Sequence, residues 1–438
     1  MAHQVHSIPW QTLADNLKYM HMSPHNNGST NLYLRKNRQG QAKQLQHFVR
    51  GFSRAVAAYS IIERKKYNAE PTPPEQDEIL ISDDTMKKMS RTVRQYKTDS
   101  VRFSAGSHEL DEVLTWNERT AKDFIAETSA CEGDMHCGLR DVCELSKTLL
   151  LYGEMNTLLR LAIHPGIRFW KLWDEDQYAN GWGFGLHKLL GTALQAYICL
   201  NVLFLKPELY DPESRETFIK RENVARRSTH KPEQYDYKLT AAYQRMLLNC
   251  TGIPYGVARF DVHTHPHREF FGIPRGMFRF EYSYYAFWRD RNLGIQTVAD
   301  LAEDKFRGVH VAGQSDVGAV LSMLGQKGLP AELALQIMDL AEYVSVGRTT
   351  VRQDPLHVAN AEELKKYLSY CWKLLVRIDM LVRANGCCLD WEAEVTDVLY
   401  ALFGMESPKV SEIIEFTPYG NEPLDIARRC RKRVFVTW

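Results

Sequence analysis

One long apolar stretch, Leu189 to Leu205, constrains the fold of this chain more than any other part of its sequence. Its only strongly polar side chains are Gln195 and Asn201. A helix that is apolar nearly all round has to be enclosed by protein or by lipid. Its 17 residues are at the lower limit of a bilayer span, and its polar side chains would lack partners in lipid. We therefore expect a buried core helix at 186–205, around which the other helices pack.

Apolar residues at steps of three and four predict amphipathic helices on both sides of this stretch. The first runs from Gln41 to Lys66, and the proline-broken segment Tyr67 to Asp77 predicts a linker after it. Asp83 and Asp84 are typical of a second helix start, and residues 360–386 predict a long helix ended by glycine. Short extended segments are predicted at 78–82 and 309–312. The predicted fold class is therefore mainly α with a few short strands (α+β).

The composition is that of a globular protein, with 44% apolar and 25% charged residues among 438. The net charge of +1 conceals an asymmetry, because residues 35–97 hold 14 basic and 7 acidic side chains, whereas residues 103–180 hold 7 and 14. We divide the chain into a basic N-terminal region (1–100), an acidic helical core region (101–212) and a mixed, then helical C-terminal region (232–438). One compact unit is the alternative to this division.

The N-terminal residues show no apolar run behind a positive segment, so we expect neither a signal peptide nor an anchor. Nine cysteines, an odd number spread along a long chain, are typical of reduced thiols and not of a disulfide framework. We therefore expect a cytoplasmic protein without membrane contact, with a nuclear location as the alternative.

Basic side chains recur at helical spacing in the N-terminal region, which predicts a binding surface for a phosphate-rich ligand. Between Arg35 and Lys66 there are nine basic residues and only Glu63 as an acid, so ion pairs within the helix do not account for the charge. Two neighbouring basic helices would together form a groove. The predicted binding residues are Lys43, Arg50, Arg54, Lys87, Arg91 and Arg94. A solvated charged face is the alternative interpretation.

A histidine-rich segment, DVHTHPHRE at 261–269, carries the candidate acid-base groups His263, His265 and Glu269. If residues 257–265 are extended, Asp261, His263 and His265 share one face, which is the geometry of a metal site. The phrase DVHTHP resembles the D-x-H-x-H signature of amidohydrolase-type metal enzymes. The resemblance implies that His263 and His265 bind a metal. A metal-free polar pocket and a structural loop are the alternatives.

A second group of metal-ligand residue types lies within 13 residues of the acidic region. It consists of Cys131, His136, Cys137 and Cys143. Thiolates and imidazoles are the ligands that zinc prefers, although the spacing is not that of paired C-x-x-C knuckles. The cofactor is therefore unknown, with zinc as one possibility.

The sequence LPAELALQI at 329–337 has proline and glutamate at a helix start, as helix initiation favours. It resembles the L-P-x-E-L-x-x-x-I start of an F-box, a small helical module that docks onto an adaptor protein. The resemblance implies a protein partner for the segment 329–340.

These observations favour an intracellular enzyme, a transferase, that acts on a phosphate-bearing or RNA-borne substrate, such as one linked to tRNA, a nucleotide or a coenzyme. Its expected partner is a phosphate-rich ligand or RNA. Two alternatives remain open. The first is a non-catalytic interaction protein with the F-box-like segment, and the second is a metal-dependent hydrolase that uses the DVHTHP segment.

Overall fold

The fold is mostly helical and includes two small two-stranded sheets, in agreement with the predicted fold class. The computed structural model describes residues 3–20, 30–34, 40–101, 114–129, 137–173, 185–226, 235–254, 262–273, 275, 279–280, 312, 314–341, 343, 349–351 and 353–404.

Fifteen α-helices lie within these residues. They are α1 (Trp10–Asn16), α2 (Gln41–Arg64), α3 (Asp83–Val101), α4 (Ala121–Ser129), α5 (Cys137–Tyr152), α6 (Met155–Ala162), α7 (Phe169–Trp173), α8 (Leu186–Phe204), α9 (Pro212–Arg226), α10 (Ala241–Thr251), α11 (His265–Phe271), α12 (Gln314–Gln326), α13 (Ala331–Leu340), α14 (Ala361–Ala384) and α15 (Trp391–Phe403). Strands β1 (Leu17–Met20) and β2 (Asn31–Leu34) pair antiparallel, whereas β3 (Ile253–Pro254) and β4 (Arg279–Phe280) pair in parallel.

Helix α8 lies inside the protein, with 14 of its 19 residues buried. It packs against α14, α10, α15, α5 and α1. Its polar side chains find partners within the protein, because Gln195 accepts a hydrogen bond from Asn249 at 2.8 Å and Asn201 donates to the Tyr197 carbonyl at 2.9 Å. In the part of the chain that the structure describes, every helix is too short or too polar to span a bilayer.

Helix α5 is a second enclosed helix, and every residue from 142 to 150 is buried. It packs against α3, α4, α6, α7 and α8. Unlike α8, it carries charged side chains, Glu144 and Lys147, into the interior. The core therefore contains a charged helix beside an apolar one.

Helix α2 joins the N-terminal part of the chain to the C-terminal part. Its buried stripe, which includes Phe48 and Phe52, packs against α14 and α15. The Phe52 ring contacts the rings of Trp372 and Trp391, with centroids 5.7 and 6.3 Å away. One hydrophobic core thus includes side chains from all three of the predicted regions.

The extended conformation that would place Asp261, His263 and His265 on one face is not formed where the structure describes the segment. Val262–Thr264 form a 3-10 helix and α11 follows at once. At 78–82 a single bridge between Ile79 and Thr120 takes the place of a strand. Residues 257–261 and 309–311 lie outside the described residues.

Candidate functional site

A buried ion pair on α5 is the starting point of the candidate site. The Lys147 ammonium donates a hydrogen bond to Glu144 Oε1 at 2.7 Å, and the two side chains are 0% and 1% exposed. They lie three residues apart, so both project from the same face of the helix. Buried charges are costly unless they are paired and hydrogen-bonded, and here each charge compensates the other.

The chain that leads into α11 packs directly on this pair. The backbone N–H of Val262 donates to the second carboxylate oxygen of Glu144 at 3.0 Å. This contact holds the next residue, His263, in the interior, where it is 8% exposed. Burial lowers the pKa of His263 well below its ordinary value, and the nearby charges of Lys147 and Lys188 act in the same direction. The imidazole is therefore neutral at neutral pH, and it is a weak base unless an anion offsets the charges of the two lysines.

A second buried histidine lies one helical turn further on. His267 Nδ1 is 2.5 Å from the Tyr367 hydroxyl of α14, and the Tyr367 ring stacks on Phe270 with centroids 3.9 Å apart. Burial lowers the pKa of His267 to about 3. Among the described residues, His263 Nδ1 and His267 Nε2 have no hydrogen-bond partner. We call Glu144, Lys147, His263 and His267 the buried centre.

The N-terminal end of α8 borders the buried centre. The 3-10 helix that carries His263 packs against α8, and His187 and Lys188 of its first turn are electrostatic neighbours of His263. His187 Nδ1 lies 2.9 Å from the Trp173 carbonyl oxygen of α7. Gly185 precedes the helix, and a Cβ at this position would lie 2.2 Å from the same oxygen. Only glycine allows α7 and α8 to approach this closely.

The three predicted acid-base residues separate into two places. His263 belongs to the buried centre, whereas His265 and Glu269 form a partly exposed pair on α11, with His265 Nε2 3.8 Å from Glu269 Oε1. Their separation follows from the helical conformation, because residues two apart on a helix point in different directions.

The same conformation bears on the predicted metal site. His263 and His265 do not share a strand face, because the described part of the segment is helical. Within the described ranges, no group of three histidine, cysteine, aspartate or glutamate side chains is arranged to hold a metal ion. Asp261, Cys131 and His136 lie outside those ranges. The Cys143 thiol is buried against the Lys171 carbonyl at 3.8 Å. The described residues do not fit the metal centre that the amidohydrolase resemblance implies, and we derive no step through a metal.

The predicted polyanion-binding residues lie on two separately packed helices. On α2, Lys43, Arg50 and Arg54 are exposed, whereas on α3 Lys87 and Arg94 are exposed and Arg91 is half-buried. Helix α2 packs mainly on α14 and α15, and α3 packs mainly on α5. Arg50 lies 3.8 Å from Glu392. Both side chains are about half exposed, so this ion pair contributes at most about 1 kcal/mol. A ligand that contacts both helices stays a prediction.

The F-box-like segment forms α13, which packs against α12 as a helical hairpin. Ala334 and Met338 face the hairpin interior, whereas Leu333, Leu335 and Ile337 are 48%, 55% and 44% exposed. An apolar helix thus presents large side chains to solvent.

Sequence reasoning missed Glu144, Lys147, His267 and Tyr367. The available signal was an i,i+3 pair of opposite charges inside the apolar run of α5. A second signal was the spacing of four between His263 and His267, which places both on one helical face.

The comparisons with known proteins give one family. A family model described as Gramillins biosynthetic cluster protein GRA5 matches residues 11–412, which is 402 of the 438 residues. No curated protein matches the chain, and no solved structure matches it. The matched span includes the whole buried centre.

Proposed function

The chain belongs to the Gramillins biosynthetic cluster protein GRA5 family, and from that premise we propose that it is an enzyme that acts on a phosphate-bearing substrate, with group transfer as the favoured reaction. The family is named after a protein of the gramillins biosynthetic cluster. An enzyme that modifies a biosynthetic substrate is in keeping with that name. Substrates linked to a nucleotide, a coenzyme or tRNA all carry the phosphate that this proposal requires.

The observation that carries the proposal is the buried, neutral imidazole of His263 beside the Lys147–Glu144 pair, with Nδ1 lacking a hydrogen-bond partner among the described residues. In a group transfer, the imidazole takes the proton from the attacking acceptor as the new bond forms. The bond to the donor breaks with its electron pair, and the phosphate-bearing part leaves with the negative charge. Cations placed nearby stabilise such developing charge, and they act more strongly in a water-poor interior. His265 and Glu269 are the candidates for proton exchange with solvent.

The basic side chains of α2 and α3 supply a long-range attraction for the same class of substrate. Lys43, Arg50 and Arg54 are exposed on one helix and leave room for a phosphate-rich ligand at the surface. If the substrate is RNA-borne, changing Arg50 and Arg54 to glutamate should weaken RNA binding and reduce its salt dependence. Unchanged binding would remove these residues from the proposal.

The test of the enzymatic proposal is genetic and chemical. In the organism that encodes this chain, metabolites of a deletion strain are compared by liquid chromatography and mass spectrometry with those of strains carrying His263→Gln or His357→Gln. His357 is exposed and lies outside the site, so it serves as the matched control. We expect the deletion and His263→Gln to lose the same metabolite and to accumulate its precursor, while His357→Gln retains it. A deletion strain with an unchanged metabolite profile would contradict the proposal.

The exposed side chains of α13 favour a second candidate function, an interaction protein with an F-box-like segment. Leu333 and Ile337 lie four residues apart on one exposed face of the helix. If this face binds an adaptor protein, a partner should co-purify with the full chain in constant ratio. That partner should be lost when Leu333 and Ile337 are both changed to glutamate. A partner that stays bound to this variant would contradict the assignment.

The metal-dependent hydrolase remains testable by a simple measurement. It predicts a stoichiometric divalent ion in the purified protein, lost when His263 and His265 are both changed to alanine.

A further inference from the structure

The N-terminal end of α8 has the properties of an anion-binding site. The first turn of any α-helix presents backbone N–H groups without intrahelical acceptors, and the helix dipole places partial positive charge there. In the described part of the chain, no side chain caps this end of α8, and its first turn contains no acidic residue. His187 and Lys188 add basic side chains to the same turn. A helix end alone is common, and at α8 a second observation accompanies it.

That observation is the set of unused hydrogen-bonding atoms beside it. The Lys147 ammonium has three N–H donors, and within the described residues Glu144 is its one acceptor. His263 Nδ1 has no partner at all there, although the side chain is more than nine-tenths buried. Buried polar atoms in native proteins usually have a partner, which is an ordered water, an ion or a ligand where the protein supplies none.

The electrostatic surroundings specify the sign of that ligand. The charged and basic neighbours of His263 are Lys147, Lys188, His187 and His267. Among the described residues, Glu144 is the acid in contact with this group, and it is already paired with Lys147. A cation placed here would meet like charge, whereas an anion would be attracted by the lysines, by the helix end and by the imidazole N–H.

We propose that the phosphate group of the substrate binds at the N-terminal end of α8, held by the first-turn backbone N–H groups, the Lys147 ammonium and the imidazole N–H of His263. This inference rests on the proposed function and identifies where the anionic part of the substrate lies. It places the phosphate in the interior and leaves the basic faces of α2 and α3 with a role in attraction from solution. It also brings the phosphate next to the imidazole that serves as the base.

The probe for this site is inorganic pyrophosphate, titrated into the full chain by isothermal calorimetry. The informative variant is Glu144→Gln with Lys147→Met, because it removes both charges together and retains the shape of the pair. Lys122→Met is the matched control, since Lys122 is an exposed lysine on α4, a helix that also packs on α5. We expect pyrophosphate to bind the wild type, to bind the double variant at least tenfold more weakly, and to bind Lys122→Met within twofold of the wild type.

A second measurement keeps the proposal testable if the double variant does not fold. Histidine side chains labelled with ¹⁵N are followed by NMR in the wild-type protein, with His263→Gln used to assign the His263 signal. Pyrophosphate should shift the His263 signal, and the shift should saturate at the same pyrophosphate concentrations as the heat measured by calorimetry. Saturating binding that leaves this signal unmoved would overturn the proposal. The proposal would also be overturned if the wild-type protein binds no pyrophosphate. It would be overturned as well if binding is lost when Arg50 and Arg54 are changed to glutamate but is retained in the double variant.

The two proposals fail separately. If pyrophosphate binds as expected and the deletion strain keeps all its metabolites, the anion site stands and the enzymatic function falls. If His263→Gln abolishes a metabolite and pyrophosphate does not bind, the enzymatic function stands and the phosphate position falls.

Discussion

Removing one partner of the buried ion pair should have a large effect on stability. Lys147→Met retains most of the aliphatic chain and removes the ammonium, so the Glu144 carboxylate loses its charged partner and keeps the hydrogen bond from the Val262 N–H. Both side chains are essentially unexposed, so water does not replace the lost partner. Breaking such a pair costs about 3–5 kcal/mol. The total stability of a protein is roughly 5–15 kcal/mol, so about a fifth or more of it should be lost.

The assay is urea unfolding of three proteins followed by circular dichroism. These are Lys147→Met, Glu144→Gln and the double variant, each compared with the wild type. Replacing both charges of a buried pair is often close to neutral, so the double variant should be more stable than Lys147→Met by about 2 kcal/mol or more. If Lys147→Met costs less than about 1 kcal/mol, or if the two single effects simply add, the pair is not the desolvated contact described above.

Three further changes test other parts of the structure. Gly185→Ala brings a Cβ to 2.2 Å from the Trp173 carbonyl oxygen and should lower the free energy of unfolding by about 1–3 kcal/mol. Gly191→Ala, in open space on α8, should raise it by up to about 1 kcal/mol. Urea midpoints of the two variants that move in the same direction would contradict this. Burial lowers the pKa of His267 from 6.5 to about 3, so protonation favours the unfolded state. Its stabilising contribution is complete above pH 6.5 and is lost as the pH falls towards 3; His267→Gln should flatten this acid dependence in unfolding titrations, and an equal slope would count against it. The buried Trp391 indole N–H on α15 donates a hydrogen bond to Asp379, so Asp379→Ala should lower the free energy of unfolding by about 1–3 kcal/mol in thermal unfolding. A loss below about half a kcal/mol would be too small for a buried hydrogen bond.

Helices whose signals are local were predicted well. The predicted helix Gln41 to Lys66 is α2, and the apolar stretch near Leu189 to Leu205 is α8 with shifts of a few residues. Gly386 follows α14 with a φ of 78°, which only glycine adopts at low cost. Asn360 precedes α14 as predicted, yet its side chain bonds Val351 and the Asp354 carbonyl, with no cap of the helix. The position was readable from sequence, but the tertiary contact was not.

The extended conformation considered for the histidine-rich segment is not formed, because its alternation of residues matches a strand over a few positions only. Pro266 lies in the first turn of α11, and Gly272 ends it with a φ of 67°. Proline inside a helix start and glycine after its end are themselves helix signals, and they span the same residues. Phe270 and Phe271, both buried, then fix the face of the helix that turns inward.

The buried centre was beyond prediction for a different reason. Charged side chains on a helix usually mark its solvated face, so Glu144 and Lys147 argued for an exposed surface on α5. Their burial depends on elements that lie far away in sequence, such as the Val262 N–H that donates to Glu144 and helix α8 that packs on α5. Pairing of that kind is a property of the assembled core.

The packing of α2 also has a consequence for how the chain is made. Its apolar stripe is covered by α14 and α15, which begin at residues 361 and 391. During synthesis α1 is the first helix able to pack on this stripe, whereas the part that α14 and α15 cover stays exposed until most of the chain has left the ribosome. Contacts so distant in sequence form slowly. Such waiting exposes a nascent chain to aggregation, so chaperone demand should be highest for this helix. A fragment that ends before residue 361 would lack α14 and α15, so the part of α2 that they cover would stay exposed. The folding of α2 and the folding of these two late helices are therefore coupled.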